Sequence, residues 1–309
     1  MSGVDALTIT VAICTHNRAG FLEKAIRSVL PQLTPDTELL VVDNASTDAT
    51  RETCDRLARE TGVVSYHFEP RLGLSAARNT ALHRARGEWV LFLDDDALAG
   101  PDWLATFRRF LADPPAPKIA VVGGGVIPYY TSPTPRWYGL SNGCFDKGPE
   151  PRLMAGGGLA GGNSIYLKAA VIAVGLYDER LGYKGGKLIP REESELEGRL
   201  IAAGWQCWWL PGAAIQHHVA ADRLTVRKML SSHYYGGQAA AIHHLKKQAN
   251  GRQRFLLCAG RLVITPFHIL INALEALVCF LLGQPKTAVG ALCRVTRAAG
   301  WLRQIVRPS

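Results

Sequence analysis

The sequence predicts an α/β protein with a mostly parallel sheet flanked by helices, followed by a C-terminal helical appendage. In the first hundred residues, short apolar runs alternate with segments whose apolar residues recur at helical spacing. Runs such as LLVV and WVLFL are apolar without alternation, which is typical of parallel strands buried on both faces. Hydrophobic residues make up 48% of the chain, enough for a folded core.

Polar residues follow each of the first four predicted strands. Strands are predicted at 7–14, 38–42, 63–68 and 89–93, separated by helices at 19–30, 46–61 and 75–86. Further along, we expect a helix at 102–111, strands at 119–122, 164–167 and 205–210, and a helix at 196–203. The stretch 123–163 is rich in glycine, proline and aromatics, which favours long loops.

The net charge of +9 belongs to the C-terminal tail. Residues 242–309 hold ten lysines or arginines and a single acid, Glu275, so the remaining chain has 25 basic and 25 acidic residues. We therefore expect the fold to divide into a domain at 1–240 and a basic tail at 241–309. A basic tail favours an anionic membrane surface, because it lacks the aromatics and motifs of nucleic-acid binding.

The sequence predicts amphipathic helices in two segments of the tail, 262–282 and 288–306. The first is long enough to cross a bilayer, but His268, Asn272 and Glu275 fall on one helical stripe. We expect this stripe to stay in water while the leucine face enters lipid, as in a peripheral helix. Packing of both segments on the catalytic domain, or a membrane-embedded tail, are the alternatives.

Cysteine usage and the N-terminus predict a cytoplasmic protein. The seven cysteines include no CxxC pair, which argues against a disulfide framework or a cysteine-based zinc site. The first residues show no basic segment followed by an apolar run, so no secretory signal is expected.

Three adjacent carboxylates, Asp94, Asp95 and Asp96, follow the predicted strand 89–93. Ligands of parallel sheets bind beyond the carboxyl ends of the strands, where these acids lie. Carboxylates crowded at a buried strand end repel each other, and Mg²⁺ or Mn²⁺ bound to a diphosphate relieves that repulsion. A solvated acidic turn is the alternative interpretation.

Two further groups could complete such a site. Glu192 and Glu193 open a predicted helix, where acids complement the helix dipole or where one of them removes a proton from an acceptor hydroxyl. His217 follows a strand and could be a third metal ligand, although histidines at strand ends are more often structural. The sequence has no GxGxxG after the first strand, no P-loop and no GxSxG elbow, which argues against dehydrogenases, P-loop NTPases and α/β-hydrolases.

An ordered set of motifs resembles glycosyltransferase family 2 over roughly residues 8–240. The segments are VAICTHNR, ELLVVDNASTDAT, RLGLSAARN, WVLFLDDDA, GGNSIYLK, GLYDERLGYKG, REESEL and HHVAADRLT. The resemblance implies the GT-A fold, a Rossmann-like α/β domain, and transfer of a sugar with inversion. It also implies a nucleotide-binding half at about 1–100 and an acceptor-side half at 101–240.

The resemblance implies a role for each matching residue. The nucleotide-sugar-binding positions are Thr15, Asn17, Arg18, Asp43, Asn44, Arg78, Asp94 and Asp95. Asp96 and His217 match metal ligands, and Gly162 and Asn163 match the acceptor-side loop. Glu193 falls where the family usually has a catalytic aspartate, so Glu192 remains a rival for the base.

The implied reaction moves one sugar from a UDP-, GDP- or dTDP-sugar to a glycan or lipid-linked acceptor, with Mn²⁺ or Mg²⁺ as cofactor. The QxxRW pattern of processive synthases is absent, which favours single-sugar transfer. By the same resemblance and the basic tail, we expect a role in cell-surface polysaccharide or glycolipid synthesis at the inner face of the membrane. A sugar nucleotidyltransferase and an inactive nucleotide-binding protein of the same fold are the alternatives.

Overall fold

The computed structural model describes residues 8–139, 143–184, 187–189, 191–246 and 250–306. It separates into two compact units. The first, called the sheet unit, comprises Met1–Tyr129, Gly143–Lys187 and Arg191–His218. The second, called the helical unit, comprises Tyr130–Asn142, Leu188–Pro190 and Val219–Ser309.

The strands form mainly one large sheet. They are β1 Ile9–Thr15, β2 Thr37–Asp43, β3 Val64–Phe68, β4 Trp89–Leu93, β5 Ala97–Ala99, β6 Ile119–Tyr130, β7 Arg152–Leu153, β8 Asn163–Leu167, β9 Gly182–Lys184, β10 Lys187–Ile189 and β11 Gln206–Val219. The order across the sheet is β3-β2-β1-β4-β8-β6-β11-β5, with β7 paired to β11. Strands β3, β2, β1 and β4 are parallel, whereas β8 runs antiparallel to both β4 and β6.

The helices are α1 Ala19–Val29, α2 Thr50–Thr61, α3 Leu74–Arg84, α4 Trp103–Ala112, α5 Lys168–Ala173, α6 Glu192–Ala202, α7 Val226–Lys246, α8 Gly251–Leu281 and α9 Pro285–Val306. Each face of the sheet has its own core, because successive strand residues point to opposite faces. In β1, Val11 and Ile13 join one buried cluster while Ala12 joins the other. The sheet is thus buried on both faces, as its apolar strands predict.

The antiparallel half of the sheet is larger than the sequence predicts. Strand β6 continues to Tyr130, so the expectation of loops is wrong for residues 123–130. Gly124 permits this, because a Cβ there would collide with the backbone carbonyl of Ala213. Strand β11 likewise continues well past residue 210, to Val219. The longer β6 and β11 bring residues from distant parts of the chain close to the residues that follow β4.

The helical unit contains α7, α8 and α9, and both α7 and α8 pack along α9. Gly237 on α7 and Gly300 on α9 allow close approach, since a Cβ on either would collide with the partner helix backbone. The sequence patterns did not predict α7, and the expected boundary near residue 240 falls inside it. The compact units divide after His218, and α7 belongs to the helical unit.

Candidate active site

The carboxylates that follow β4 lie beside His217. Its Nε2 is 3.1 Å from Asp96 Oδ1 and 3.5 Å from Asp94 Oδ2. Strand register explains the proximity, because antiparallel pairing of β11 with β5 places His217 opposite Ala97, the residue after the acidic triplet. One ligand atom from each of Asp94, Asp96 and His217 lies within 4.8 Å of the others. The predicted metal-site residues Asp96 and His217 are therefore together, and Asp94 joins them.

Residues at the end of β1 hold the other carboxylate atoms. Arg18 Nη1 lies 2.9 Å from Asp95 Oδ1 and 2.7 Å from Asp96 Oδ2. Thr15 Oγ1 donates to Asp95 Oδ2 at 2.8 Å. Asp95 thus points to the β1 side of the site, whereas Asp94 and Asp96 face His217. These contacts are possible because β1 and β4 are neighbours in the sheet.

Burial and neighbouring charges shift the pKa values of His217, Asp95 and Asp94. Burial lowers the pKa of His217, but hydrogen bonds to Asp94 and Asp96 outweigh burial and raise it to about 10. Burial, together with the neighbouring Asp96, raises the pKa of Asp95 to about 6 despite Arg18. For Asp94, His217 and Arg78 outweigh burial, and the pKa is lowered. The cluster favours a cation among its carboxylates.

Asp43 and Asn44, at the end of β2, are buried and hydrogen-bonded within the protein. Asp43 Oδ1 accepts from the Ser46 amide at 2.9 Å, and its Oδ2 accepts from the Tyr66 hydroxyl at 2.8 Å. Asn44 Oδ1 accepts from the Gly73 amide at 2.7 Å, and its Nδ2 donates to the Arg71 carbonyl at 2.8 Å. Asn44 therefore joins the loops that follow β2 and β3 at this edge of the sheet.

Asn17 joins the loops that follow β1 and β2. Its φ of 55° is left-handed, a conformation that asparagine tolerates better than most residues. The side-chain Oδ1 accepts from the Thr47 amide at 2.7 Å, and the Asn17 amide donates to Ser46 Oγ at 2.9 Å. The side chain shapes the loops, and its predicted contact with a nucleotide stays a prediction.

Arg78, on α3, is buried among three carboxylates. Its Nη1 lies 3.3 Å from Glu192 Oε1 and 3.2 Å from Glu193 Oε1. Its Nη2 lies 3.7 Å from Asp94 Oδ1. Only 3% of the Arg78 side chain is exposed, so the guanidinium links the acids that open α6 to the acids that follow β4.

The two glutamates that open α6 differ in exposure. The side chain of Glu192 is 5% exposed and that of Glu193 is 20% exposed. Burial, followed by the nearby charge of Glu193, raises the pKa of Glu192. Glu193 is thus the more accessible of the two carboxyl groups.

The backbone at Gly161 and Gly162 lies close to the acidic side chains of Glu193 and Asp94. A Cβ at Gly161 would collide with the Glu193 side chain, and a Cβ at Gly162 would collide with the Asp94 carboxylate. The Gly162 carbonyl also accepts from the Asp94 amide at 3.2 Å. The backbone of the glycine pair therefore lies against both Glu193 and Asp94.

Asn163, predicted with Gly162 on the acceptor-side loop, is fully buried at the start of β8. Its Oδ1 accepts from the Trp103 indole at 2.6 Å. Its Nδ2 donates to the carbonyls of Gly125 and Ala213, each at 2.8 Å. The Asn163 amide thus crosslinks α4, β6 and β11 and does not face solvent, where an acceptor would bind.

We expect Asn163→Ala to destabilise the sheet unit by about 2–4 kcal/mol, because a buried indole N–H and two carbonyls lose their partner. The free energy of unfolding is measured by urea denaturation. Asp113→Ala, which removes an exposed aspartate, is the control and should change it by less than about 0.5 kcal/mol. A cost for Asn163→Ala as small as that of the control would contradict this role.

Sequence reasoning missed the buried Glu197, one helical turn after Glu193. Its carboxyl group accepts hydrogen bonds from the amides of Gly158 and Leu159, in the glycine run that precedes β8. Burial raises the pKa of Glu197 to about 8. The residue anchors the loop that ends at Gly161, and only its i+4 spacing from Glu193 could have indicated it.

The chain was compared with protein families and curated proteins. The model of the family described as Glycosyl transferase family 2 matches residues 10–175. The glucosyl-dolichyl phosphate glucuronosyltransferase of Haloferax volcanii is 26% identical over 198 residues, covering 61% of each chain. The GalNAc(5)-diNAcBac-PP-undecaprenol beta-1,3-glucosyltransferase of Campylobacter jejuni is 36% identical over 90 residues, covering 28% of this chain and 29% of that protein. The chain thus matches about three fifths of the first relative and under a third of the second.

Among solved structures, a mannosyltransferase from Pyrobaculum calidifontis in complex with GDP-Man and Mn²⁺ superposes with a TM-score of 0.57 and 18% identity. The match covers 97% of this chain and 76% of that one. This likeness confirms the predicted GT-A fold, with helices following the sheet. Because the family model spans more than half of the sequence, the chain belongs to glycosyltransferase family 2.

Proposed function

We propose that the protein transfers one sugar from a nucleotide-sugar donor to an acceptor hydroxyl, with inversion and with a divalent metal ion. One observation carries the proposal: Gly161 and Gly162 hold the accessible Glu193 beside the cluster of Asp94, Asp96 and His217. A general base and a cation site at such short range suit attack by a hydroxyl on a sugar whose leaving group is a diphosphate.

The cluster fits Mn²⁺ or Mg²⁺ by its donor chemistry. Two carboxylates offset the charge of a divalent cation and supply the oxygen ligands that Mg²⁺ and Mn²⁺ prefer, and His217 could add one nitrogen ligand. Arg18 contacts Asp96 Oδ2, which leaves Oδ1 on the side of His217. We propose Asp96 and His217 as ligands, with Asp94 beside them. A bound metal ion would neutralise charge on the departing nucleoside diphosphate.

The donor is proposed to bind along the ends of β1, β2 and β4. Asp95 is held by Thr15 and Arg18, and this side of the site suits the ribose or sugar hydroxyls. Arg18 keeps 42% of its side chain exposed and can also meet the diphosphate. Asn17, Asp43 and Asn44 hold the loops that are proposed to surround the base. Arg78 is proposed to position the carboxylates of Asp94 and Glu193. The proposed donor is a UDP-, GDP- or dTDP-sugar.

Glu193 is the proposed catalytic base. Its carboxylate would take the proton of the acceptor hydroxyl as the hydroxyl oxygen attacks the anomeric carbon and the nucleoside diphosphate leaves from the opposite face. A base must reach the acceptor, and Glu193 is the more exposed of the two candidates. Arg78 touches both carboxylates and would hold Glu193 in position.

The proposed acceptor is a lipid-linked glycan or polyprenyl phosphate at a membrane. Two relatives are named for acceptors linked to dolichyl phosphate and to undecaprenol diphosphate. Helix α8 is long and apolar enough to cross a membrane, judged by length and composition alone. Both observations favour sugar transfer at a membrane, in the synthesis of a polysaccharide or glycolipid.

The outer surface of α8 supports a peripheral contact. Large apolar side chains at least 45% exposed cover it: Leu262, Val263, Ile264, Phe267, Leu270, Ile271, Leu274, Leu277, Val278, Phe280 and Leu281. By the helical period they span roughly 200° of arc without a charge. We call this surface the lipid face. Its width suits a helix lying at the bilayer interface.

The polar stripe of α8 contacts α9 at Asn272 and Glu275, while His268 is exposed, and its predicted contact with water at a membrane surface stays a prediction. Arg294 on α9 donates to Asn272 and lies 2.6 Å from Glu275. Arg261 stacks over the Trp301 ring at 5.0 Å. A spanning α8 would carry the exposed cations of α9 into hydrocarbon at substantial cost, so we propose attachment at the interface of the cytoplasmic leaflet.

The donor is tested by a thermal-shift screen. With Mn²⁺ present, one of the UDP-, GDP- or dTDP-sugars should raise the melting temperature by several degrees, because ligand binding to the native state alone stabilises it. The same donor should shift the protein less in excess chelator. If no donor shifts the native protein with the metal present, donor binding is refuted.

Membrane attachment is tested on the lipid face itself. Phe267→Asp, Leu270→Asp and Leu274→Asp combined should abolish flotation with vesicles, since each apolar contact becomes a charge in lipid. The matched control replaces Val63, Phe68 and Ile172, which have 44–45% exposure in the sheet unit, by aspartate and should float normally. Equal flotation of both variants would contradict the lipid face, and resistance of the native protein to carbonate extraction would contradict a peripheral attachment.

A further inference from the structure

The helical unit contains a cavity of about 280 Å³ whose lining is strongly basic. It lies between α7, α9 and the segment around Trp137. The side chains that matter are Trp137, Met229, His233, Lys286, Arg294 and Arg297. None of them belongs to the carboxylate cluster or to the donor-binding loops.

The three cations come from one face of α9. Lys286, Arg294 and Arg297 are spaced by eight and three residues, which places them on one stripe of α9, with Lys286 about two turns before Arg294. Arg294 is paired with Glu275. Among the described residues, no carboxylate lies within 4.0 Å of the charged groups of Lys286 or Arg297. The cavity therefore carries a net positive charge that its own lining does not offset.

The volume of the cavity and its apolar wall restrict which ligands it can hold. Its volume is slightly below the roughly 300–1,000 Å³ of pockets for drug-sized ligands, which suits a phosphate and a few attached atoms. Met229, Val289 and the half-buried Trp137 provide an apolar wall beside the cations. An anion with an attached apolar or glycerol-like group fits these surroundings better than a bare ion.

Arg294 connects the cavity to the helix that carries the lipid face. Its guanidinium lines the cavity and also contacts Asn272 and Glu275 on the polar stripe of α8. Arg297 and Lys286 lie on the same face of α9 as Arg294, and both are exposed. Basic residues near the membrane surface each attract anionic lipids, and arginine pairs well with phosphate oxygens.

We propose that this cavity binds the phosphate monoester or diphosphate head group of an anionic membrane lipid. The inference rests on the proposed attachment of α8 to a membrane and gives that attachment a lipid preference. Lys286 and Arg297 would contact phosphate oxygens, while Arg294 remains tied to α8. Such a site would retain the protein where phosphorylated lipids are abundant.

The test measures partition of the full-length protein into vesicles of phosphatidylcholine containing phosphatidic acid or phosphatidylglycerol, at matched surface potential. The native protein should bind the phosphatidic acid vesicles about tenfold more tightly, because a monoester offers more charge-assisted hydrogen bonds. The combined Lys286→Gln and Arg297→Gln variant should bind both vesicles equally.

A matched control separates the cavity from general charge. Arg252→Gln with Arg254→Gln removes two exposed cations of α8 outside the cavity, and should weaken binding to both vesicles while keeping the preference. Equal binding of both vesicles by the native protein, or loss of the preference in the control, would overturn the proposal. So would displacement by inorganic phosphate as effective as by short-chain phosphatidic acid, since the site would then bind free phosphate. Binding of the native protein to vesicles of pure phosphatidylcholine depends on the lipid face alone. Absence of that binding would show that membrane attachment itself fails, separately from the lipid preference.

Discussion

Asp96→Ala should reduce sugar transfer to background. The substitution removes the carboxylate that lies 3.1 Å from His217 Nε2 and 2.7 Å from Arg18 Nη1, and with it the proposed principal metal ligand. In the proposed site the metal ion and the donor diphosphate bind together, so the metal-dependent thermal shift by the donor should vanish as well. Turnover and melting temperature are measured on the same preparation.

The control for this variant is Asp113→Ala, which removes an exposed aspartate after α4 and should keep full activity. Excess chelator should inactivate the native protein, and Mn²⁺ or Mg²⁺ should restore it. Full turnover by Asp96→Ala, or by the native protein in chelator, would refute the metal site.

Glu193→Gln should lower kcat by roughly two to four powers of ten, because the amide keeps the size of the side chain but cannot accept the acceptor proton. Donor affinity should change little, since the proposed base acts on the acceptor. The measurement is steady-state turnover together with the donor-induced thermal shift.

Glu192→Gln provides the comparison. Glu192 is buried against Arg78, so its substitution should act on stability and on the position of Glu193 more than on proton transfer. A larger fall in kcat for Glu192→Gln than for Glu193→Gln would assign the base to Glu192.

The parallel half of the fold was predictable because its signals are local. Buried strands such as β4 are short, wholly apolar and followed by polar residues, so both the strands and the site edge could be located from the sequence. The antiparallel half depends on pairing between distant segments, and nothing local to residues 123–130 indicates that they continue β6. Helix α7 was missed because its apolar pattern is weak and its burial depends on α9.

The same distinction holds for the site. Asp96 and Arg18 lie at predictable strand ends, and their contact follows from the neighbouring positions of β1 and β4. The place of His217 depends on the register of β11 against β5, which no local pattern specifies. For Asn163, the motif match located the loop but could not tell that the side-chain amide is hydrogen-bonded to the Trp103 indole.

The central claim is tested most directly by identifying the nucleotide that is released. The protein is incubated with Mn²⁺, the donor selected by thermal shift, and a polyprenyl-phosphate-linked acceptor, and the products are separated by chromatography. The proposed reaction predicts nucleoside diphosphate in equal amount to the glycosylated acceptor, and neither product with Asp96→Ala. Formation of pyrophosphate from a nucleoside triphosphate and a sugar phosphate, with no glycosylated acceptor, would contradict it and identify a nucleotidyltransferase.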